Sequence, residues 1–133
     1  MMFNNDKNLP YTIIGAAMEV YRRLGPWHLE RVYQRALKAA LERKGLRVLA
    51  EPKVVLLDED GTALAVYLPD LVVRQDRKVV LVELKAEPAL TDAHVRQVKA
   101  YLSAWRGQAE GLVVNFGSQR LIWKKVRKKH WKE

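Results

Sequence analysis

Apolar positions along the chain recur first every three to four residues and, beyond Leu46, in short valine-rich runs. Ile13, Ile14, Ala17, Met18, Tyr21 and Leu24 form one helical stripe that Gly25-Pro26 stops, which predicts an amphipathic helix over residues 10–24. Leu29, Val32, Tyr33, Ala36, Leu37, Ala40 and Leu41 repeat the pattern over residues 27–44. Pro26 stands near the start of this second helix, Arg43 and Lys44 lie in its last turn, and Gly45 follows.

The later runs are Val54–Leu57, Thr62–Tyr67, Leu71–Val73 and Val79–Leu84, separated by turn residues such as Asp58-Glu59-Asp60-Gly61 and Gln75-Asp76-Arg77. They read as strands of an antiparallel meander. Thr91 and Asp92 open a third helix that runs to about Arg106, with Val95, Val98, Leu102 and Trp105 as its buried stripe. Val113–Phe116 and Leu121–Val126 form a last strand pair around Gly117-Ser118. Two helices, three or four strands, a helix and two strands predict an α/β sandwich with a mixed sheet. Neither a repeat nor a linker interrupts the order, so residues 1–133 read as a single domain with a basic C-terminal segment, 124–133.

Composition narrows the function. There are 24 Lys and Arg against 15 Asp and Glu, a formal charge of +9, and six of those cations lie within residues 124–133. A polyanion is the expected partner. With 49% hydrophobic residues the chain has material for a core, which excludes intrinsic disorder. The chain has no cysteine, which excludes a disulfide scaffold, a thiolate zinc site, an iron–sulfur cluster and a cysteine nucleophile. A reducing, cytoplasmic location is expected. Residues 1–10 carry no apolar signal-peptide region, and no apolar run reaches the ~18 residues of a membrane span.

Candidate chemistry lies in the strands. Asp70 follows Leu68-Pro69, while Glu83 and Lys85 end the run Val79-Val80-Leu81-Val82-Glu83-Leu84-Lys85 and share one strand face. A turn centred near Asp76 and Arg77 sets Asp70 opposite Val82 or Glu83, so two carboxylates and an amine converge. Such carboxylates raise each other's pKa unless a cation neutralises them, and hard oxygen donors suit Mg²⁺ or Mn²⁺. A magnesium held this way keeps several waters, one of which can attack a phosphodiester while Lys85 stabilises the developing charge. The competing account of Glu83 and Lys85 is an ordinary salt bridge, weakened by the cost of placing charges in a strand covered on both faces. On the third helix His94, Gln97 and Tyr101 make a polar stripe, and Arg96, Lys99, Ser103 and Arg106 occupy the outer face.

An Asp, a Glu-x-Lys a dozen residues later and a Gln-x-x-x-Tyr on the next helix resemble the PD-(D/E)XK nuclease superfamily, in its RecB-like branch. With Ile13-Ile14-Gly15, Glu30-Arg31-Val32-Tyr33 and Val114-Asn115-Phe116-Gly117-Ser118, the chain is similar to the small GxxExxY group over roughly residues 11–126. The resemblance implies a restriction-endonuclease-like α-β-β-β-α-β core and a Mg²⁺- or Mn²⁺-dependent nuclease, with DNA the favoured substrate. It implies Asp70 and Glu83 as metal ligands, Lys85 as the catalytic lysine, and Gln97 and Tyr101 as supporting or phosphate-contacting groups. A helix glutamate joins the metal site in related nucleases; Glu30 is the candidate, ahead of Glu19, which Arg22 and Arg23 explain as an ion-pair residue. Trp27 stands where the group's motif has Gly, so the turn before Glu30 must accommodate a bulky ring.

Cations for a nucleic-acid backbone are Lys99 on the third helix and Lys124, Lys125, Arg127, Lys128 and Lys129 at the C-terminal end, where Trp123 and Trp131 are available for stacking. His28 and His130 have no ligand partners at suitable spacing. The alternative function is a non-catalytic nucleic-acid-binding module that keeps the nuclease-like fold; a partner-binding subunit is a third. A homodimer would permit structure-specific cutting at junctions.

Overall fold

A computed structural model of the chain describes residues 8–128. The elements are α1 (Leu9–Leu24), α2 (Glu30–Arg43), β1 (Arg47–Ala50), β2 (Val54–Leu57), β3 (Ala63–Tyr67), β4 (Leu71–Gln75), β5 (Lys78–Lys85), α3 (Asp92–Ala104), β6 (Glu110–Asn115) and β7 (Ile122–Arg127). Five strands form a mixed sheet in the order β1-β4-β5-β6-β7, in which only β5 and β6 run parallel. A parallel neighbour needs a crossover, and α3 supplies it.

The predicted meander is corrected in two respects. β2 and β3 leave the central sheet and pair only with each other, and their edge place beside β4 is taken by β1, a strand the apolar runs did not announce. The reason is visible in the side chains. β1 has the burial of a one-sided edge strand, with Val48 alone buried, whereas Leu64 and Val66 of the hairpin face solvent. The second helix also starts at Glu30 rather than at residue 27, because Leu29 is still extended at ψ 159°.

The sheet separates two apolar layers. α1 and α2 pack Ile13, Ala17, Tyr33 and Leu37 against Val80, Val82, Leu84, Leu112 and Val114. On the other face α3 packs Val98, Tyr101 and Leu102 against Val72, Leu81 and Val113. Gly111 lies beneath α3, where a methyl group would run into Val98. β5, central and covered on both sides, is buried from Val79 to Leu84, which explains its near-continuous apolar sequence. No helix among the described residues is long and apolar enough to cross a membrane.

Candidate active site

β4 and β5 pair with Leu71 opposite Val82 and Gln75 opposite Lys78. One step beyond the last pair this register sets Asp70 against Glu83, as the turn at Asp76 and Arg77 requires. Asp76 takes a left-handed φ of 55°, a conformation in which an aspartate is better tolerated than a bulky or branched residue.

Asp70 is held from three directions. Its Oδ2 accepts the Leu84 backbone N–H at 2.7 Å, and its carbonyl accepts both the Gln34 amide at 2.9 Å and the Glu51 N–H at 3.2 Å. Burial pushes its pKa up, the Leu84 hydrogen bond pulls it down, and the nearby charge of Glu30 pushes it up again.

Glu83 is only 5% exposed. Oε1 accepts the Tyr101 hydroxyl at 3.0 Å and Oε2 lies 3.5 Å from the Lys85 ammonium. Burial first, and then the charge of Asp70, raise its pKa from 4.5 to about 7, against the opposing pull of Lys85 and Tyr101. Tyr101 is driven up as well, by burial and by the carboxylate it serves, while the Gln97 amide one turn earlier acts in the other direction. The phenol is therefore fixed as a donor.

Glu30 approaches differently. At the start of α2, its Oε2 takes a long hydrogen bond, 3.4 Å, from the Ala86 N–H. Glu83 turns instead toward the α3 layer, where Tyr101 meets it. Among the described residues no three acidic or imidazole groups close into a ready-made metal cage. Asp70 and Glu83 are the close pair of the expected set, and Glu30 stands near enough to Asp70 for its charge to act on that carboxyl. The donor set of that pair fits a hard divalent cation, since Glu83 is buried, Asp70 is half-buried beside it, and the crowding of the two acids raises the pKa of Glu83.

Glu19 is remote from this group. It pairs with Lys44 at 3.6 Å, rather than with Arg22 or Arg23, in a cleft that also touches Gln75 at the opposite end of β4. Trp27 is accommodated by leaving its ring 82% exposed beside Gly25. His28 packs its edge on Tyr33, whose hydroxyl bonds the Gly25 carbonyl and so fixes the loop leading into Glu30.

The cations divide into two sets. Lys99, Lys124 and Arg127 are exposed, and Lys124 stands opposite Val113 on β6, the residue that also faces Glu83. Lys125 is exposed with its ammonium 4.6 Å from the centre of the Tyr11 ring. Lys128 bonds the carbonyls of Trp105 and Gly107 and closes the exit of α3. Lys129, His130 and Trp131 lie outside the described residues.

Asn115 is a residue to which the sequence assigned no role. Fully buried at the end of β6, it accepts the Glu87 N–H at 2.9 Å and donates to the Glu87 carbonyl at 2.9 Å, while Phe116 N–H bonds the Lys85 carbonyl at 2.8 Å. Gly117 completes the contact, because a methyl group there would strike the backbone of Ala86 and Glu87. This clamp fixes the chain just past Lys85. A polar residue ending the run Leu112-Val113-Val114 was the available signal, because a buried amide needs partners. Gln34, which holds Asp70, carried none.

A mixed sheet between helix layers, with an acid pair and a lysine at the end of its central strand, defines a restriction-endonuclease-like α/β protein. A family model described as the PD-(D/E)XK nuclease superfamily matches residues 7–128. The chain belongs to that superfamily. No curated protein matches it. Among solved structures it is similar in fold to the crystal structure of SSO0001, with a TM-score of 0.56 at 15% identity. The match covers 76% of this chain and 51% of that one, so the chain spans about half the length of the structure it resembles.

Proposed function

We propose that the chain is a divalent-metal-dependent nuclease of the GxxExxY group, in the RecB-like branch, that hydrolyses phosphodiester bonds in DNA. The observation that carries this reading is the placement of Asp70 and Glu83 side by side, with Lys85 at 3.5 Å from Glu83, at the end of a strand buried on both faces. Charges placed there are costly, and an exposed salt bridge would not need that location.

A Mg²⁺ or Mn²⁺ ion bound by Asp70 and Glu83, with Glu30 within reach, would neutralise their repulsion and activate water toward phosphorus. The remaining work falls to the protein. Tyr101 and the Leu84 N–H aim one oxygen of each carboxylate inward. Lys85, 3.5 Å from Glu83, is the ammonium that would hold a phosphate oxygen as it gains charge. Gln97, beside Tyr101, lines the approach, and Lys99, Lys124, Lys125 and Arg127 hold the backbone on either side. Lys128 belongs to the fold in this scheme, and Lys129 to the backbone-binding set.

The same proposal takes residues 1–133 as one domain with a basic C-terminal segment. The lack of cysteine supports a cytoplasmic setting. A homodimer is the form suited to cutting two strands, and sedimentation of the protein with and without a junction substrate tests it.

The test of the activity is cleavage of single- and double-stranded DNA by the purified chain with Mn²⁺, with chelator, and after Lys85→Ala. Expected is metal-dependent cutting that falls at least ~100-fold in the variant, in keeping with the loss of one positioned electrostatic group. Salt-sensitive binding with no cutting under any condition would establish instead the module that binds nucleic acid without turnover.

A further inference from the structure

A cleft of about 560 Å³ opens between the end of β3 and the stretch of α3 from Ala93 to Tyr101. Its walls are Val66, Tyr67 and Leu68 on one side and Arg96, Gln97 and Tyr101 on the other. The Tyr67 ring leans on the Tyr101 ring with centroids 5.8 Å apart at 55°. Val66 at the end of the hairpin and Leu68 just beyond it remain about half exposed, at 54% and 48%.

A hydrogen bond and a short stretch of chain tie this cleft to the acid pair. Tyr101, at its floor, donates to Glu83, and Leu68, at its rim, stands two residues before Asp70. Whatever fills the cleft therefore lies next to the phosphate being cut. It must be flat, largely apolar, able to use an amide at its edge and attached to an anionic backbone. The geometry points to an unpaired nucleobase, stacked against Tyr67 between Leu68 and Gln97, with exposed Arg96 on its flanking phosphate. Paired bases in a duplex keep their faces stacked on one another, and only an unstacked base offers a face to Tyr67. The substrate class is thus a single strand, or a flap or frayed end at which at least one base is free. This inference rests on the nuclease reading of the adjacent acids.

The test maps the cut in a labelled single-stranded oligonucleotide in Mn²⁺, then moves one abasic residue stepwise past that position. Binding is measured alongside with the Glu83→Gln protein, which separates recognition from turnover. An abasic residue at one flanking position should weaken binding and slow cleavage by roughly tenfold or more, the scale of one lost base–aromatic stack. Tyr67→Ala should make intact and abasic strands equivalent, and Tyr67→Phe should keep them different. The scan on the unaltered chain decides the matter even where Tyr67→Ala fails to fold. Equal handling of intact and abasic strands, or faster cutting of a blunt duplex than of the single strand, would overturn the subsite while leaving the nuclease reading intact. An abasic effect on binding with no cutting anywhere would remove the nuclease reading and keep the subsite.

Discussion

Asp70 and Glu83 face each other one step past the Leu71–Val82 pair, each tied to a different neighbour: Asp70 to the Leu84 N–H and Glu83 to the Tyr101 hydroxyl. Neither acid is free to turn away, so the folded protein carries their repulsion. Glu83 holds its proton up to about pH 7, against 4.5 for an ordinary glutamate. An acid whose pKa is raised on folding contributes stability below pH 4.5 that is lost as pH rises through about 7. Metal-free protein should therefore lose stability across that window. Glu83→Gln should remove the slope, leaving the variant roughly 1–3 kcal/mol more stable than the parent at pH 8 and equal to it near pH 4. Urea unfolding at several pH values with chelator present measures this, and an unchanged slope in Glu83→Gln would refute it.

Tyr101→Phe deletes the only hydroxyl donated to Glu83 among the described hydrogen bonds. With that donor gone, the carboxylate becomes harder to ionise. The acidic limb of the pH–rate profile should move up by about one unit, so that activity falls roughly tenfold near pH 7 and recovers near pH 9. A uniform loss at all pH values would mean that Tyr101 acts in another way.

Asn115→Ala should loosen the segment after Lys85. Both Glu87 backbone groups lose their partner, a cost of about 1–3 kcal/mol for buried or half-buried polar groups. Hydrogen exchange should quicken at Glu87 and Phe116 while α1 stays protected. Gly117→Ala should loosen the same place through its clash with Ala86 and Glu87.

Two lysines four residues apart should behave oppositely. Lys124→Ala should weaken DNA binding and reduce the slope of log affinity against log salt by about 0.9 for a duplex, with no change in melting temperature. Lys128→Ala should lower the melting temperature, because it frees the carbonyls of Trp105 and Gly107, and leave the salt slope nearly unchanged. Salt-dependent anisotropy and thermal melts on the same samples separate the two effects.

The sequence revealed most where local chemistry governs the backbone. The turn at Asp76 and Arg77 set the β4–β5 register, and with it the meeting of Asp70 and Glu83, before any tertiary contact was needed. It failed where neighbours along the chain are not neighbours in space. Val54–Leu57 and Ala63–Tyr67 have strong strand patterns but pair only with each other, while the weakly patterned Arg47–Ala50 takes the edge of the main sheet. Glu30 illustrates a further limit: its position in the helix was readable, but its contact with the Ala86 N–H, 56 residues on, depends on how α2 packs. Gln34 and Asn115 act across 36 and 28 residues, and no local pattern encodes such a reach.

The central claim is that Asp70 and Glu83 together hold one divalent cation. Crystals soaked in Mn²⁺ and measured at its absorption edge locate that ion directly. The account predicts an anomalous peak within bonding distance, about 2.2 Å, of an oxygen from each of the two carboxylates, absent in Asp70→Asn. A peak elsewhere, or none at saturating Mn²⁺ with both carboxylates still bonded as described, would contradict it.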